Sequence, residues 1–255
     1  MTGLRVDLAD GVLRLVLDRP EALNALDGAL ASALIHELEN AAGRDDVRVV
    51  LIAGAGSAFS AGADLGGLGA DADFEQIMAQ AARLVRAVPR LDQPVVAAVR
   101  GVAAGVACGL VLACDVILTS ESASFLLPFT RLGLMPDGGT TLTAAASLGR
   151  ARAMRMALLS EPLSAQEAFE AGLVGQVVPE AELTETTDRV LARLAAGPPL
   201  SLAATKRAVN AATLGGLEDA LAREGRGQVI LAQTHDVGEG LRAFAERRPP
   251  RFTGA

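Results

Sequence analysis

With 255 residues, 51% of them hydrophobic, the chain has enough apolar side chains for a large core, as one big domain or a domain with an appendage. A formal net charge of −7 with scattered basic residues, and no Trp or Tyr, excludes the usual footprint of a nucleic-acid binder. No run of about 20 uncharged apolar residues exists to span a membrane, and Met1 to Asp10 lacks the apolar core of a signal peptide, so a cytoplasmic chain without membrane partners is expected.

Taken in order, Leu13 to Leu17 reads as a short strand stopped by Asp18-Arg19-Pro20. Leu26, Leu30, Leu34 and Leu38 recur every four residues, the stripe of a helix. Val47 to Ile52 is a β-branched run suited to a strand buried on both faces, and a small-residue loop, Ser60 to Asp64, follows it. Phe74, Ile77, Met78, Ala81, Leu84 and Val85 mark an amphipathic helix. Pro94 opens the strand Val95 to Val99, Gly101 to Gly105 leads into an apolar helix ending near Ala113, and Val116 to Thr119 is another strand. Ser164 to Glu167 is a capping box with Gly172 placed for the C-cap, and the strand Val174 to Val178 comes next. Gly197-Pro198-Pro199 breaks the chain, and the pattern from Leu200 to Arg247 is helical.

Strands alternating with helices predict an α/β core over residues 1–196. Residues 197–255 form a helical appendage, too thin to fold alone, that packs on this core or on a neighbouring subunit. Cys108 and Cys114 lie in an Ala-rich apolar run with no His nearby, so buried free thiols in a reducing compartment are expected and a metal site is not.

Five stretches, in order and spacing from Asp18 to Gly254, resemble the crotonase (enoyl-CoA hydratase/isomerase) superfamily. They are Asp18 to Leu26, Ala58 to Leu65, Pro94 to Gly105 closing on Cys114-Asp115, Gly133 to Thr140, and the tail Glu239-Gly240 to Phe252-Thr253-Gly254. The resemblance implies a spiral of ββα repeats with a C-terminal helical region that builds homotrimers, often paired into hexamers. It implies an acyl-CoA substrate, with coenzyme A part of that substrate and no separate cofactor. It also implies two backbone N–H groups aimed at the thioester oxygen, by position those of Ala63 and Val106. The start of a helix at Val106 favours negative charge, and the Val side chain, where many relatives have Gly, narrows the site. Ala22, Ala61, Ala63, Asp64 and Leu65 fall where the family meets the CoA adenine, and Arg19 where a phosphate contact is possible.

The family's hydratases position water with two glutamates, and those positions fall here on Gly109 and Phe129. Neither residue transfers a proton, and Phe129 fills the volume that a catalytic water needs. Asp137 remains, in a segment resembling the loop where some enoyl-CoA isomerases carry a single acidic base. Moving a double bond from C3–C4 to C2–C3 needs one carboxylate and no bound water. Pro-Asp-Gly-Gly is also ordinary turn chemistry, and Asp before a helix is a favoured N-cap, so base and cap both stand as readings of Asp137.

Other polar residues read as structural or solvated. Asp64 holds the loop that presents Ala63, and Asp115 satisfies backbone donors between a helix and a strand. Glu121 lies on a polar turn, His36 on a polar helix face and His235 in a loop, while Lys206 reads as a solvated helix charge. The expectation is an enoyl-CoA isomerase-like enzyme. An enoyl-CoA hydratase working through Asp137 alone and a non-catalytic acyl-CoA-binding protein are the alternatives. Acyl pocket shape is expected to depend on the loop Gly66 to Asp73.

Overall fold

A computed structural model describes residues 2–67 and 72–255. Residues 68–71 of the loop Gly66 to Asp73 therefore lie outside the described residues.

The chain opens with the hairpin β1 (Leu4–Ala9) and β2 (Val12–Leu17), paired antiparallel through Leu8↔Leu13 and its neighbours. Helix α1 (Gly28–Ala41) follows, its N-terminus capped by Asp27, whose side chain accepts the Leu30 N–H at 2.8 Å. Next come β3 (Val49–Gly54), α2 (Phe74–Arg90), β4 (Val95–Val99), β5 (Val102–Ala104) and α3 (Val106–Leu112). The order continues with β6 (Val116–Ser120), β7 (Ser124–Leu126), α4 (Thr140–Leu159), β8 (Leu163–Ser164), α5 (Ala165–Glu170) and β9 (Gln176–Val178). Helices α6 (Leu183–Ala195), α7 (Pro199–Thr213), α8 (Leu217–Ala232) and α9 (His235–Ala245) close the chain.

Six strands form one sheet in the order β1-β2-β3-β4-β6-β9, parallel from β2 onward. A three-stranded sheet, β5-β7-β8, forms a second layer. The chain feeds the two layers in turn, β4 then β5 before α3, and β6 then β7 before α4, which is the repeated ββα turn. Isolated parallel bridges, Leu26↔Ala63 and Ser60↔Ala103, extend the second layer back to the earlier turns. The fold is thus the expected crotonase-like spiral with a helical C-terminal region.

Alternation along the parallel strands divides the core. Leu13, Leu15, Leu17, Val50 and Ile52 face the main cluster, whereas Val12, Val49, Leu51, Val96 and Leu118 face a second, covered by Leu183 and Leu191 of α6. The capping box of α5 is present, with Gly172 at φ +79° just beyond the helix end. Helix α6 was not anticipated from the sequence. Helix α9 starts at His235, which therefore lies on a helix rather than in a loop, with Thr234 as its cap.

The C-terminal tail is tied back to α9. Arg248 donates to both oxygens of Glu239, at 2.6 and 2.9 Å, and holds that carboxyl down at about 2. A Cβ on Gly240 would lie 2.6 Å from the Leu132 carbonyl, so α9 sits directly on the segment after Phe129. Both cysteines are free and buried, with the Cys108 thiol pushed up to about 12 by desolvation. Among the described residues, no helix is long and apolar enough to cross a membrane.

Candidate active site

The loop that carries Ala63 is fixed by a buried asparagine. Asn24 (φ +55°) accepts the Arg19 N–H at 2.9 Å and donates to the carbonyls of Ala55 and Ala58 at 2.8 and 2.9 Å. Its own carbonyl accepts the Ser60 hydroxyl at 2.8 Å. Backbone rungs Ala61 N–H to Leu23, Leu26 N–H to Gly62 and Asp64 N–H to Leu26 then hold residues 61–64 alongside the segment from Leu23 to Leu26. On the other side Ser60 pairs with Val102 and Ala104. Gly62 (φ +91°) lets the loop lie against the Ala104 carbonyl, which a Cβ there would approach to 2.7 Å.

Gly105 (φ +56°) turns the backbone after β5 so that Val106 begins α3. Among the described residues, neither the Ala63 nor the Val106 amide donates to a protein acceptor. Orphan donors of this kind are what an oxyanion site requires. Since α3 has only seven residues, the Val106 N–H itself, more than a helix dipole, is the asset.

Ala61, Ala63, Leu65, Val106, Phe129 and Asp137 come together in one cleft of about 120 Å³. Its remaining walls are mostly apolar, from Leu26, Phe74, Ile77, Met78, Ala81 and Leu84 to Leu132 and Leu134. Phe129 is buried against Gly105, and Gly109 packs on the Asp137 loop, where a Cβ would lie 2.4 Å from the Gly138 carbonyl. A glutamate at Gly109 is excluded by that contact.

Asp137 is 6% exposed. Its Oδ2 accepts Gln228 Nε2 at 2.9 Å, and its Oδ1 is buried without a hydrogen-bond partner among the described residues. Desolvation, partly offset by the Gln228 hydrogen bond and reinforced by the nearby Glu224 carboxylate, pushes its carboxyl up to about 7. The cap reading of this side chain is overturned. Gly138 and Gly139, at φ +65° and +75°, put an extra turn between Asp137 and α4, so only its main-chain carbonyl meets the Thr140 N–H. Glu224 of α8 does the capping instead, accepting the Gly139 and Thr141 N–H groups at 2.7 and 3.0 Å. Glu224 and Gln228 are each 1% exposed, and both were missed in the sequence.

Other expected roles change or hold. Ala22 sits in a 3₁₀ turn outside the cleft lining, with its N–H on the Arg19 carbonyl. Asp64 steadies its loop by accepting the Gly66 N–H at 3.1 Å. Arg19 is not left for phosphate, because it pairs with Asp27 at 3.0 Å and Asp64 at 3.1 Å and donates to the Ala25 carbonyl. Lys206 is no solvated charge. It is buried, bonded to Asp115 at 2.7 Å and to the carbonyls of Val88 and Gln93 at 2.9 and 3.0 Å. Asp115 meets the Val95 N–H at 2.7 Å as expected. His36 and Glu121 are exposed.

Comparison with known proteins agrees with this architecture. The family model described as enoyl-CoA hydratase/isomerase matches residues 7–255. The chain is 40% identical over 98% of both chains to a probable enoyl-CoA hydratase of Rhodobacter capsulatus. It is 37% identical to the 1,2-epoxyphenylacetyl-CoA isomerase of Escherichia coli, over 96% of this chain and 95% of that one. The crystal structure of an enoyl-CoA hydratase from Mycobacterium avium subsp. paratuberculosis superposes with a TM-score of 0.92 at 47% identity, covering 98% of each chain.

Proposed function

This chain belongs to the enoyl-CoA hydratase/isomerase family, and from that premise we propose that it shifts the double bond of an enoyl-CoA, with Asp137 as the single proton carrier. The observation that supports this most is the Asp137 Oδ1, buried and unpartnered at a cleft shared with two undonated amides. In the proposed reaction Oδ1 takes a proton from C2 of a 3-enoyl-CoA. The C–H electron pair forms a C1–C2 double bond, and the thioester carbonyl pair moves onto oxygen. That oxyanion accepts the N–H groups of Ala63 and Val106. The carbonyl then re-forms, the double bond settles at C2–C3, and C4 takes the proton back from Asp137. No proton or electron is gained or lost, so the reaction calls for no cofactor beyond the substrate's own CoA.

An acid half-ionised near neutral pH suits such a shuttle, since it must both take and return a proton. The apolar walls fit a hydrocarbon acyl group. The names of several relatives favour hydration as the second reading, yet with Phe129 and Gly109 at the two glutamate positions Asp137 is the one carboxylate among the described residues that line the cleft. The test is a 3-enoyl-CoA in heavy water with wild-type protein. Conversion to the 2-enoyl-CoA with deuterium in substrate or product is expected, together with crotonyl-CoA hydration well below about 10 per second, the ordinary enzyme turnover. Fast hydration would install the hydratase reading, and tight acyl-CoA binding without any conversion would make the protein a binder.

We propose as well that the chain assembles as a trimer or a multiple of it. Leu217 and Leu221 pack inside the chain beside Gly139. Leu200, Val209, Ile230 and Phe244 remain exposed on the C-terminal helices and supply the apolar faces. Light scattering at micromolar concentration is expected to give three subunits or six; a stable monomer refutes the proposal.

A further inference from the structure

We propose that Gln228 is a positioning residue, which grips one carboxylate oxygen of Asp137 so that Oδ1 alone is offered to the acyl group. This deepens the isomerase reading and rests on it. The orientation of the Gln228 amide follows from its neighbours. The Met135 N–H needs an acceptor and finds Gln228 Oε1 at 3.3 Å, which leaves Nε2 to face Asp137 Oδ2 at 2.9 Å. One amide therefore ties down both sides of Pro136, the turn that carries the base. One helical turn earlier Glu224 clamps Gly139 and Thr141, so a single face of α8 fixes the loop from Met135 to Thr141. A carboxylate held at one oxygen has lost its freedom to rotate, and its second oxygen keeps a set direction. Among the described residues that second oxygen has no donor at all.

The surroundings leave few other groups that could do this. Helices α2 and α3 present mostly apolar side chains to the cleft, the amide of Gln80 being taken up by the Gly28 carbonyl and the Ser32 hydroxyl, and the charged neighbour acting on Asp137 is Glu224. Glu224 is occupied by backbone amides and the Thr141 hydroxyl and makes no hydrogen bond to Asp137. Among the described residues, Gln228 is the one side chain hydrogen-bonded to the Asp137 carboxylate.

The experiment uses full-length protein carrying Gln228→Met or Gln228→Glu. Met keeps the length and removes the donor; Glu keeps the acceptor for the Met135 N–H and so guards against a folding failure. Two readouts are taken. Carbon-13 NMR of labelled aspartate carboxyls follows the titration of Asp137, with Asp137→Asn identifying the signal. Steady-state isomerisation is followed from pH 6 to 9. In Q228M the Asp137 midpoint is expected to rise by about one pH unit, because a donor to the ionised form is gone. KM should stay within about twofold, and kcat should fall about 10- to 100-fold even at pH 9, where loss of ionisation no longer contributes, as misplaced reacting groups commonly cost. In Q228E, a second acid beside Oδ2 should lift the midpoint further. A wild-type midpoint and wild-type kcat in both variants, or in Q228E alone if Q228M does not fold, overturns the proposal. A shifted midpoint in a protein that converts no 3-enoyl-CoA supports the grip and overturns the isomerase reading instead.

Discussion

Asp115 and Asp137 are both carboxylates set against the same apolar core, the first with its side chain 17% exposed and the second buried, and they are treated in opposite ways. Around Asp115 the protein gathers a cation and a main-chain donor, Lys206 and the Val95 N–H, both at 2.7 Å. Lys206 in turn fills its remaining valences with the Val88 and Gln93 carbonyls, which joins α7 to the end of α2 and the start of β4. Burial drives the Asp115 carboxyl upward, but the lysine charge and hydrogen bonds work against that shift. Around the Asp137 carboxylate there is, among the described residues, one neutral donor, Gln228, and nearby a second carboxylate, Glu224, that worsens the cost of ionisation. Two acids against one core therefore need not share a purpose. The acid with its hydrogen bonds completed joins helix to strand, and the one with an oxygen left over is, in the proposed reaction, the one that carries the proton.

Removing the acid at each place should separate the two kinds. Asp137→Asn keeps the volume and leaves the Glu224 cap on α4 untouched, so the variant should fold and bind acyl-CoA. It should lose about 10² to 10⁴ in isomerisation rate, the usual worth of a positioned base. A variant with full rate would move the base elsewhere. Lys206→Met is the complementary change. It leaves Asp115, partly solvated, without its cation and strips the donor from the Val88 and Gln93 carbonyls, for a combined loss of about 3–5 kcal/mol. Urea unfolding should show that loss, while kcat per folded molecule stays unchanged. A Lys206→Met variant as stable as the parent would mean that solvent alone satisfies Asp115 and that the contrast is weaker than its geometry.

The difference between the two sites also explains what sequence reading reaches. Ala63, Val106, Phe129 and Asp137 sit in short local motifs whose order and spacing are visible along the chain, and the cleft brings them together. Gln228 and Glu224 act on partners 91 and 85 residues away, and no local pattern points to such contacts. A faint signal was present. In α8 the buried stripe runs Leu217, Ala220, Leu221, Glu224, Gln228, so two polar residues occupy the apolar face at helical spacing. Polar groups in that position must have buried partners. Lys206 carries the same mark, three residues after buried Ala203 on α7. Strand β1 escaped although its signals are present, since Leu4, Val6 and Leu8 alternate and Asp10-Gly11, both at positive φ, is strong turn chemistry; the strand lies at the sheet edge and is mostly exposed. Helix signals were easier, because Leu30, Leu34 and Leu38 face the core without exception.

The smallest expected effect is on stability as a function of pH, and it tests whether Asp137 really lacks the compensation that Asp115 enjoys. Unfolded, Asp137 titrates near the ordinary aspartate value of 3.8; folded, it is pushed to about 7. Between those values the native state holds a proton that the unfolded state has released, so the unfolding free energy falls as pH rises. The stability tied to this residue is fully present below about pH 4, declines through the window, and is gone once pH passes the folded midpoint near 7. Asp137→Asn carries no such proton and should show no decline from this site. The variant should therefore gain on the parent as pH is raised from 4 to 8 and hold a constant advantage above that. Each pH unit is worth about 1.4 kcal/mol at most, and an advantage on the order of 2–4 kcal/mol at the plateau is expected. Paired urea titrations at pH 4.5, 6 and 8 measure it. If the two proteins run in parallel across that range, Asp137 is ionised in the native state with a compensating partner, and the contrast with Asp115 fails.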